Sequence, residues 1–310
     1  MAVCLYFVVP CYNDEETLKL SVPVFLNKLE ALTAAGTIAP SSRLLLVNDG
    51  SGDNTWETML RLKEEYQRIT AVCLAENVGE QNALLAGMFT AAERADCVIT
   101  MDSDLQDDID TVDEMLQRYE EGCEIVYGVH KVRKQDSFTE RFFAGGFYSL
   151  MRLARTGLIY QHANFRLMSR HAIALLKEQR QTWYLLPCVV SNMPLKSAIV
   201  YHDRLERVAG HSKYNFKSKF QLAVNALLAH SSLPVTALGA AALLCATAGI
   251  AFTAGHLSGG TVSVGWCILC AVLLAIATVC GGLCLWAAKK RKSFLKPIEA
   301  PRYTIREVIE

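Results

Sequence analysis

The chain has 310 residues carrying 31 basic and 31 acidic side chains, so its formal charge is zero. No global field draws it to nucleic acid, which is excluded as a partner, and the length admits one medium α/β domain with a smaller appendage. Its eleven cysteines are scattered through apolar stretches without clustered His or carboxylate. They read as reduced packing residues, not as a disulfide framework or a zinc site.

In chain order, strands are expected at 5–10, 43–48, 70–75, 98–102 and 124–128, with helices between them at 15–32, 55–67, 81–94 and 110–121. That rhythm predicts a largely parallel sheet with helices on both faces. The apolar opening run is short and has no basic lead, so it is not read as a signal peptide. Residues 138–158 are amphipathic, with Phe142, Phe143, Phe147 and Leu150 set against Arg141, Arg152 and Arg155. They suit a membrane interface or a surface helix over the sheet equally, and 215–230 form a second such stretch.

From Ser231 to Ala288 there is no Lys, Arg, Asp or Glu. Within this gap, 233–255 and 262–288 each exceed the roughly 20 residues a helix needs to cross a hydrocarbon core. Lys213, Lys217 and Lys219 precede the pair, Lys289, Lys290, Arg291 and Lys292 follow it, and the connecting loop has no charge. The expected organisation is a cytoplasmic domain over 1–213, a juxtamembrane helix over 214–230, a transmembrane hairpin over 231–288 and a cytoplasmic tail over 289–310.

Sites in such sheets gather at the carboxyl ends of the strands. Those ends carry Cys11-Tyr-Asn-Asp-Glu15, Asp49-Gly-Ser-Gly-Asp53, Glu76-Asn-Val-Gly79 and Asp102-Ser-Asp-Leu-Gln106. No Gly-x-Gly-x-x-Gly follows the first strand and no Gly-x-x-x-x-Gly-Lys occurs, which disfavours dinucleotide and P-loop enzymes. Asp102 and Asp104 suit a hard divalent cation held by carboxylates and substrate phosphates. Taken alone they suit better a helix start with acidic first-turn residues, to which Asp107, Asp108 and Asp110 would belong.

Taken together, Val8-Val-Pro-Cys-Tyr-Asn-Asp-Glu-Glu16, Val47-Asn-Asp-Gly-Ser-Gly-Asp-Asn-Thr55, Asn77-Val-Gly-Glu-Gln-Asn-Ala83 and Met101-Asp-Ser-Asp-Leu-Gln-Asp-Asp108 resemble the family 2 glycosyltransferases with a GT-A fold. With Ala163-Asn-Phe-Arg-Leu-Met-Ser169, Glu206-Arg-Val-Ala-Gly-His-Ser-Lys-Tyr214 and the hairpin, the chain is similar to the polyprenyl-phosphate branch of that family. This branch includes bactoprenol glucosyltransferases and dolichol-phosphate mannose synthases. The resemblance implies a nucleoside-diphosphate sugar donor, a polyprenyl phosphate acceptor in the lipid, Mg²⁺ or Mn²⁺, inversion at the sugar and assembly through the hairpin in some relatives. It places Pro10, Tyr12 and Asp14 or Glu15 at the nucleoside, Asp49 at the base, and Asp102, Asp104 and Gln106 on the metal. Arg207, Ser212 and Lys213 would meet phosphate, with Lys131, Arg133 and Arg141 as further contacts. Asp104, Asn164 and Arg207 would carry catalysis.

Three positions depart from the pattern. Asn48 replaces a common Asp. His130 stands where relatives often carry Arg and is read as a surface histidine, with pH sensitivity as the other reading. Asn164 replaces an Asp and so cannot act as a general base. A phosphate monoester, largely dianionic at neutral pH, needs no such base. A hydroxyl-acceptor transferase is the second enzyme reading, but the processive synthases carry Gln-x-x-Arg-Trp and more spans, whereas this chain has Gln179-Arg-Gln-Thr-Trp183. A non-catalytic membrane protein that binds nucleotide sugars is the alternative outside enzymes.

Overall fold

A computed structural model describes residues 2–131, 138–159, 162–179, 185–208, 216–257, 264–298 and 301–310. The strand β1 (Leu5–Cys11) is buried at every position, as a strand covered on both faces must be. It lies between β2 (Arg43–Asn48) and β4 (Cys97–Thr100), parallel to both, and β2 pairs in parallel with β3 (Ile69–Leu74). Side chains alternate across this layer. Phe7, Leu44 and Leu46 face a core with Phe25 and Leu29 of α1 (Glu15–Ala34), Met59 of α2 (Thr55–Glu65) and Met115 of α4 (Thr111–Glu120). Val8, Leu45 and Val47 face the opposite core, with Leu84 and Met88 of α3 (Glu80–Ala91) and Ile173 of α6 (Arg170–Lys177).

The sheet has eight strands in the order β7-β5-β6-β4-β1-β2-β3-β8. β5 (Ile125–His130) was expected, but β6 (His162–Ser169), β7 (Ser197–His202) and β8 (Ile305–Ile309) were not. β6 inserts antiparallel between β4 and β5, and β7 runs parallel to β5. β8 pairs antiparallel with β3. The segment from 289 therefore differs from an independent tail, because its end closes the sheet. The Ala75 N–H donates to the Thr304 carbonyl at 2.9 Å, and Arg94 meets Glu310 at 2.7 Å.

Outside the sheet stand α5 (Phe138–Leu153), α7 (Leu186–Ser191) and α8 (Phe216–His230). The hairpin follows as α9 (Leu233–Leu257) and α10 (Val264–Leu295), which packs along α9 and continues through Lys289–Lys292. Small residues permit the close approach: a Cβ on Gly239 would stand 3.4 Å from the Cys284 Sγ, which itself meets the Val235 carbonyl at 3.3 Å. Cys284 is thus a packing residue.

Where α8 meets the sheet domain, the Leu185 N–H donates to His230 Nε2 at 3.0 Å. Burial first, and then Arg291, push this imidazole down to about 4 from 6.5. A histidine held neutral in the fold takes up its proton more readily when unfolded, so its contribution to stability is present above 6.5 and is lost as pH falls towards 4. Thermal unfolding in detergent should show this slope in the wild type and a shallower one in His230→Gln, which keeps an acceptor. Equal slopes would remove His230 as the cause.

Candidate active site

The loops after β1, β2, β3 and β4 are tied to one another by side chains from the expected motifs. The turn after β1 needs Asn13 at φ +50°, and the Asn13 side-chain Oδ1 accepts from the Gly52 N–H at 2.8 Å. Asp14 Oδ2 accepts from the Tyr12 N–H and from the Ser103 hydroxyl, both at 3.1 Å, which joins the first motif to the fourth. Glu15 is held by Lys19 and Asn54, in that order, and both lower its pKa. Pro10 is buried within β1, whereas the Tyr12 ring is exposed.

Asp49 is buried, and its two oxygens accept the Val78 and Gly79 N–H groups at 2.8 and 3.0 Å. Burial raises its pKa more than these hydrogen bonds lower it. The residue expected to read a base thus also clamps the loop after β3. Gly50 makes this possible, with φ +61° and room for no Cβ, which would stand 2.4 Å from the Asn77 nitrogen. Both the strain and the clash fall on backbone, so Gly50→Ala should cost ~3 kcal/mol, read as a lowered unfolding temperature. A variant as stable as wild type would show that the two loops do not touch there.

Asp102 sits half-buried beside Glu80 and Asn164. Burial, then the charges of Glu80, Asp107 and Asp104, push its carboxyl well above the usual range, while a hydrogen bond from Asn164 opposes the rise. Asn164 Nδ2 also donates to Glu80 Oε1. Beneath it lies Arg166 of β6, 1% exposed, with Nη2 on Asn164 Oδ1 at 3.3 Å and Nε on the Asn164 carbonyl at 3.4 Å. Burial lowers this guanidinium to about 10 against the raising effect of Tyr127, Asp102 and Glu80. Asn164 is therefore the neutral connector between an acidic rim and a buried cation.

Asp104 is buried, and its Oδ2 meets Arg207 Nη1 at 2.9 Å. The strand-like run after β7 is stitched to this turn. Leu205 N–H donates to the Gln106 carbonyl at 2.9 Å and Val208 N–H to the Asp104 carbonyl at 3.3 Å. The Gln106 side chain, expected on the metal, turns to the same run: its Oε1 accepts from Arg204 and its Nε2 reaches the Leu205 carbonyl at 3.5 Å. The structure therefore brings Asp102, Asp104 and Arg207 together but commits Gln106 elsewhere. Lys131 makes an exposed pair with Asp203 at 3.2 Å. Arg133, Ser212 and Lys213 lie outside the described residues, as does the Arg141 side chain. His130 is corrected: its side chain is only 12% exposed and lies against His202 and Asp107.

Glu80 and Arg166 were quoted within motifs yet given no role, and Arg204 lay just outside the quoted run that starts at Glu206. Glu80 was legible, being an acid at a strand end three positions after Asn77. Arg166 was not, because an arginine in an alternating strand reads as outward-facing unless its neighbours are known. Asp102, Asp104 and Glu80 form a set of hard oxygen donors, and after burial repulsion by the charges of Glu80, Asp107 and Asp104 raises Asp102, while burial and then Asp104 carry neighbouring Asp107 to about 7. A divalent cation would relieve that repulsion, so these residues fit Mg²⁺ or Mn²⁺.

A mostly parallel sheet with carboxylates and an arginine converging at its strand ends is the framework of a group-transfer enzyme acting on a phosphate-bearing substrate. The model of glycosyl transferase family 2 matches residues 6–176, more than half of the chain. The chain belongs to that family and is a glycosyltransferase with the GT-A fold. It is 40% identical over 269 residues to YkoT, an uncharacterized glycosyltransferase of Bacillus subtilis, covering 86% of this chain and 80% of the relative. It is 29% identical over 230 residues to the bactoprenol glucosyl transferase of Shigella phage SfV, covering 74% and 72%. Among solved structures, glucosyl-3-phosphoglycerate synthase from Mycobacterium tuberculosis, in complex with Mn²⁺, uridine diphosphate and phosphoglyceric acid, superposes with a TM-score of 0.49. It is 18% identical over 73% of this chain and 76% of that one.

Proposed function

We propose that this enzyme transfers a sugar from a nucleoside-diphosphate donor to a polyprenyl phosphate at the cytoplasmic face of a membrane. The observation that carries the reading is the joining, in one family 2 chain, of the Asp102–Asp104–Arg207 group to an apolar hairpin flanked on both sides by the sheet domain. Bactoprenol glucosyl transferases among the relatives point the same way.

The acceptor phosphate oxygen forms the new bond to the anomeric carbon. The bond to the donor diphosphate breaks, and its electrons leave on the nucleoside diphosphate. No proton need move, because the acceptor is already an anion. The task that remains is placement and leaving-group stabilisation. Asp102 and Asp104 would hold the divalent cation, whose chemistry is to offset charge on the departing diphosphate. Arg207, beside Asp104, is placed to read an adjacent phosphate by its bidentate fork. Asn164, with its amide shared among Glu80, Asp102 and Arg166, cannot take a proton from a hydroxyl, and this favours a phosphate over an alcohol acceptor.

Among the described residues two helices are long and apolar enough to span a bilayer, with 6% and 0% of their most apolar windows buried, so neither is a core helix. A groove of about 490 Å³ at the charged end of α10 is lined by Val235, Leu295, Arg291, Lys292 and Lys296, a mixture suited to a lipid phosphate. β8 belongs to the same sheet as β1, so a hairpin that spans the bilayer would bring the chain back to the side it left, and the basic residues flanking the hairpin favour the cytoplasm for that side. The purified enzyme, given polyprenyl phosphate or polyprenol of equal length, should glycosylate only the phosphate, more readily as pH rises through the second phosphate ionisation near 6. Equal use of the alcohol would refute the acceptor.

A further inference from the structure

One loop and two strand ends outside the Asp102–Asp104 pair bring a carboxylate and two imidazoles to a common point. Asp107 follows the metal motif, His130 ends β5 and His202 ends β7, where the register sets the two histidines side by side. Their rings are 4.6 Å apart. Asp107 Oδ1 lies 3.6 Å from His130 Nε2 and 3.7 Å from His202 Nε2. One ligand atom from each residue falls within 4.8 Å of the others.

The chemistry of His202 selects among occupants. Its Nδ1 stands 3.2 Å from the Asp203 carbonyl, and since a carbonyl only accepts, Nδ1 carries the hydrogen. Nε2 is then a lone pair. It is buried, makes no hydrogen bond within the protein and is directed at a carboxylate oxygen that is itself rich in lone pairs. Two acceptors face each other, and something positive belongs between them. An imidazole whose far N–H is fixed by a backbone carbonyl is the usual arrangement of a metal-bound histidine. Bonds of about 2.0–2.1 Å in tetrahedral geometry place ligand atoms ~3.3 Å apart, a few tenths of an ångström inside the two observed distances.

We infer that Asp107, His130 and His202 form a second metal site, distinct from the carboxylate pair, that takes Zn²⁺ or a similar borderline transition metal. Two imidazoles and one carboxylate suit that ion, whereas the oxygen-only set at Asp102 and Asp104 suits Mg²⁺ or Mn²⁺. The site would pin the loop that carries Asp104 to the ends of β5 and β7, and thereby hold Asp104 at a fixed depth. It stands independently of which acceptor the enzyme uses.

The test uses the full chain in detergent, stripped with a chelator and titrated with Zn²⁺ alone or with Co²⁺ as a spectroscopic substitute. One zinc per chain is expected by elemental analysis, with intense visible cobalt bands. Zinc should raise the unfolding temperature. His130→Gln and His202→Asn, each checked for native circular dichroism, should lose the stoichiometry, the bands and the stabilisation, while Asp102→Asn keeps all three. If one variant fails to fold, the other decides. Wild-type protein that retains no zinc would overturn the proposal and leave a shared proton as the occupant. Zinc that persists in both histidine variants, or disappears in Asp102→Asn, would also overturn it.

Discussion

Asp104→Asn should reduce turnover by roughly a hundredfold to a thousandfold with little loss of stability. The amide keeps the side-chain volume, and its oxygen can still accept from the Gln106 N–H, which lies 3.1 Å from Asp104 Oδ1. What goes is one formal charge, on the residue that would bind the cation and that touches Arg207 at 2.9 Å. Arg207 is a third exposed, so the lost ion pair costs stability only ~1 kcal/mol or less. Loss of charge stabilisation at the leaving diphosphate falls on the transition state and removes roughly 10²–10³ in kcat. Steady-state kinetics at saturating Mn²⁺, with an unfolding curve for the same preparation, separate the two effects. A loss below tenfold would show that Asp104 is a helix-start residue and no more.

Arg166→Met should be the most damaging substitution to the fold, lowering stability by ~3–5 kcal/mol. The guanidinium is all but inaccessible, and Asp102 and Glu80 are its charge partners. Methionine fills much of the space but leaves those carboxylates facing a neutral core, and the Asn164 carbonyl groups lose their donors. A fall of roughly 10 °C in unfolding temperature is the expected reading. Arg166→Lys should not restore it, because a single ammonium cannot serve both Asn164 oxygens with the geometry of Nε and Nη2. Wild-type stability in the methionine variant would mean that the acidic rim needs no buried counter-charge.

The two variants mark what the sequence disclosed and what it withheld. Strands β1 to β5, helices α1 to α4 and the hairpin were legible because each has a clear apolar period or an unbroken apolar run. β8 was hidden because an edge strand exposed at four of its five positions has no apolar face to announce it. β7 alternates but opens on exposed residues, and β6 carries Asn164 and Arg166 in its middle. The site followed the same division. Asp102 and Asp104 follow β4, whose position was predictable, whereas Arg207 follows the unforeseen β7 and was assigned from its motif alone. Gln106 was assigned by pattern, yet its amide is taken by Arg204 and Leu205, partners nearly a hundred residues away. His130 was mistaken for a surface group because its burial is created by β7, a strand not foreseen.

The central claim reduces to metal-assisted movement of a sugar onto a lipid phosphate, and one assay addresses it directly. Purified wild-type protein in vesicles containing polyprenyl phosphate is supplied with a panel of labelled nucleotide sugars, with Mn²⁺ or with a chelator. One donor should deliver its label into an organic-extractable, acid-labile phosphodiester, releasing an equal amount of nucleoside diphosphate, and chelation should stop both. Label that stays in the aqueous phase for every donor, or a lipid product formed equally well under chelation, would contradict the account.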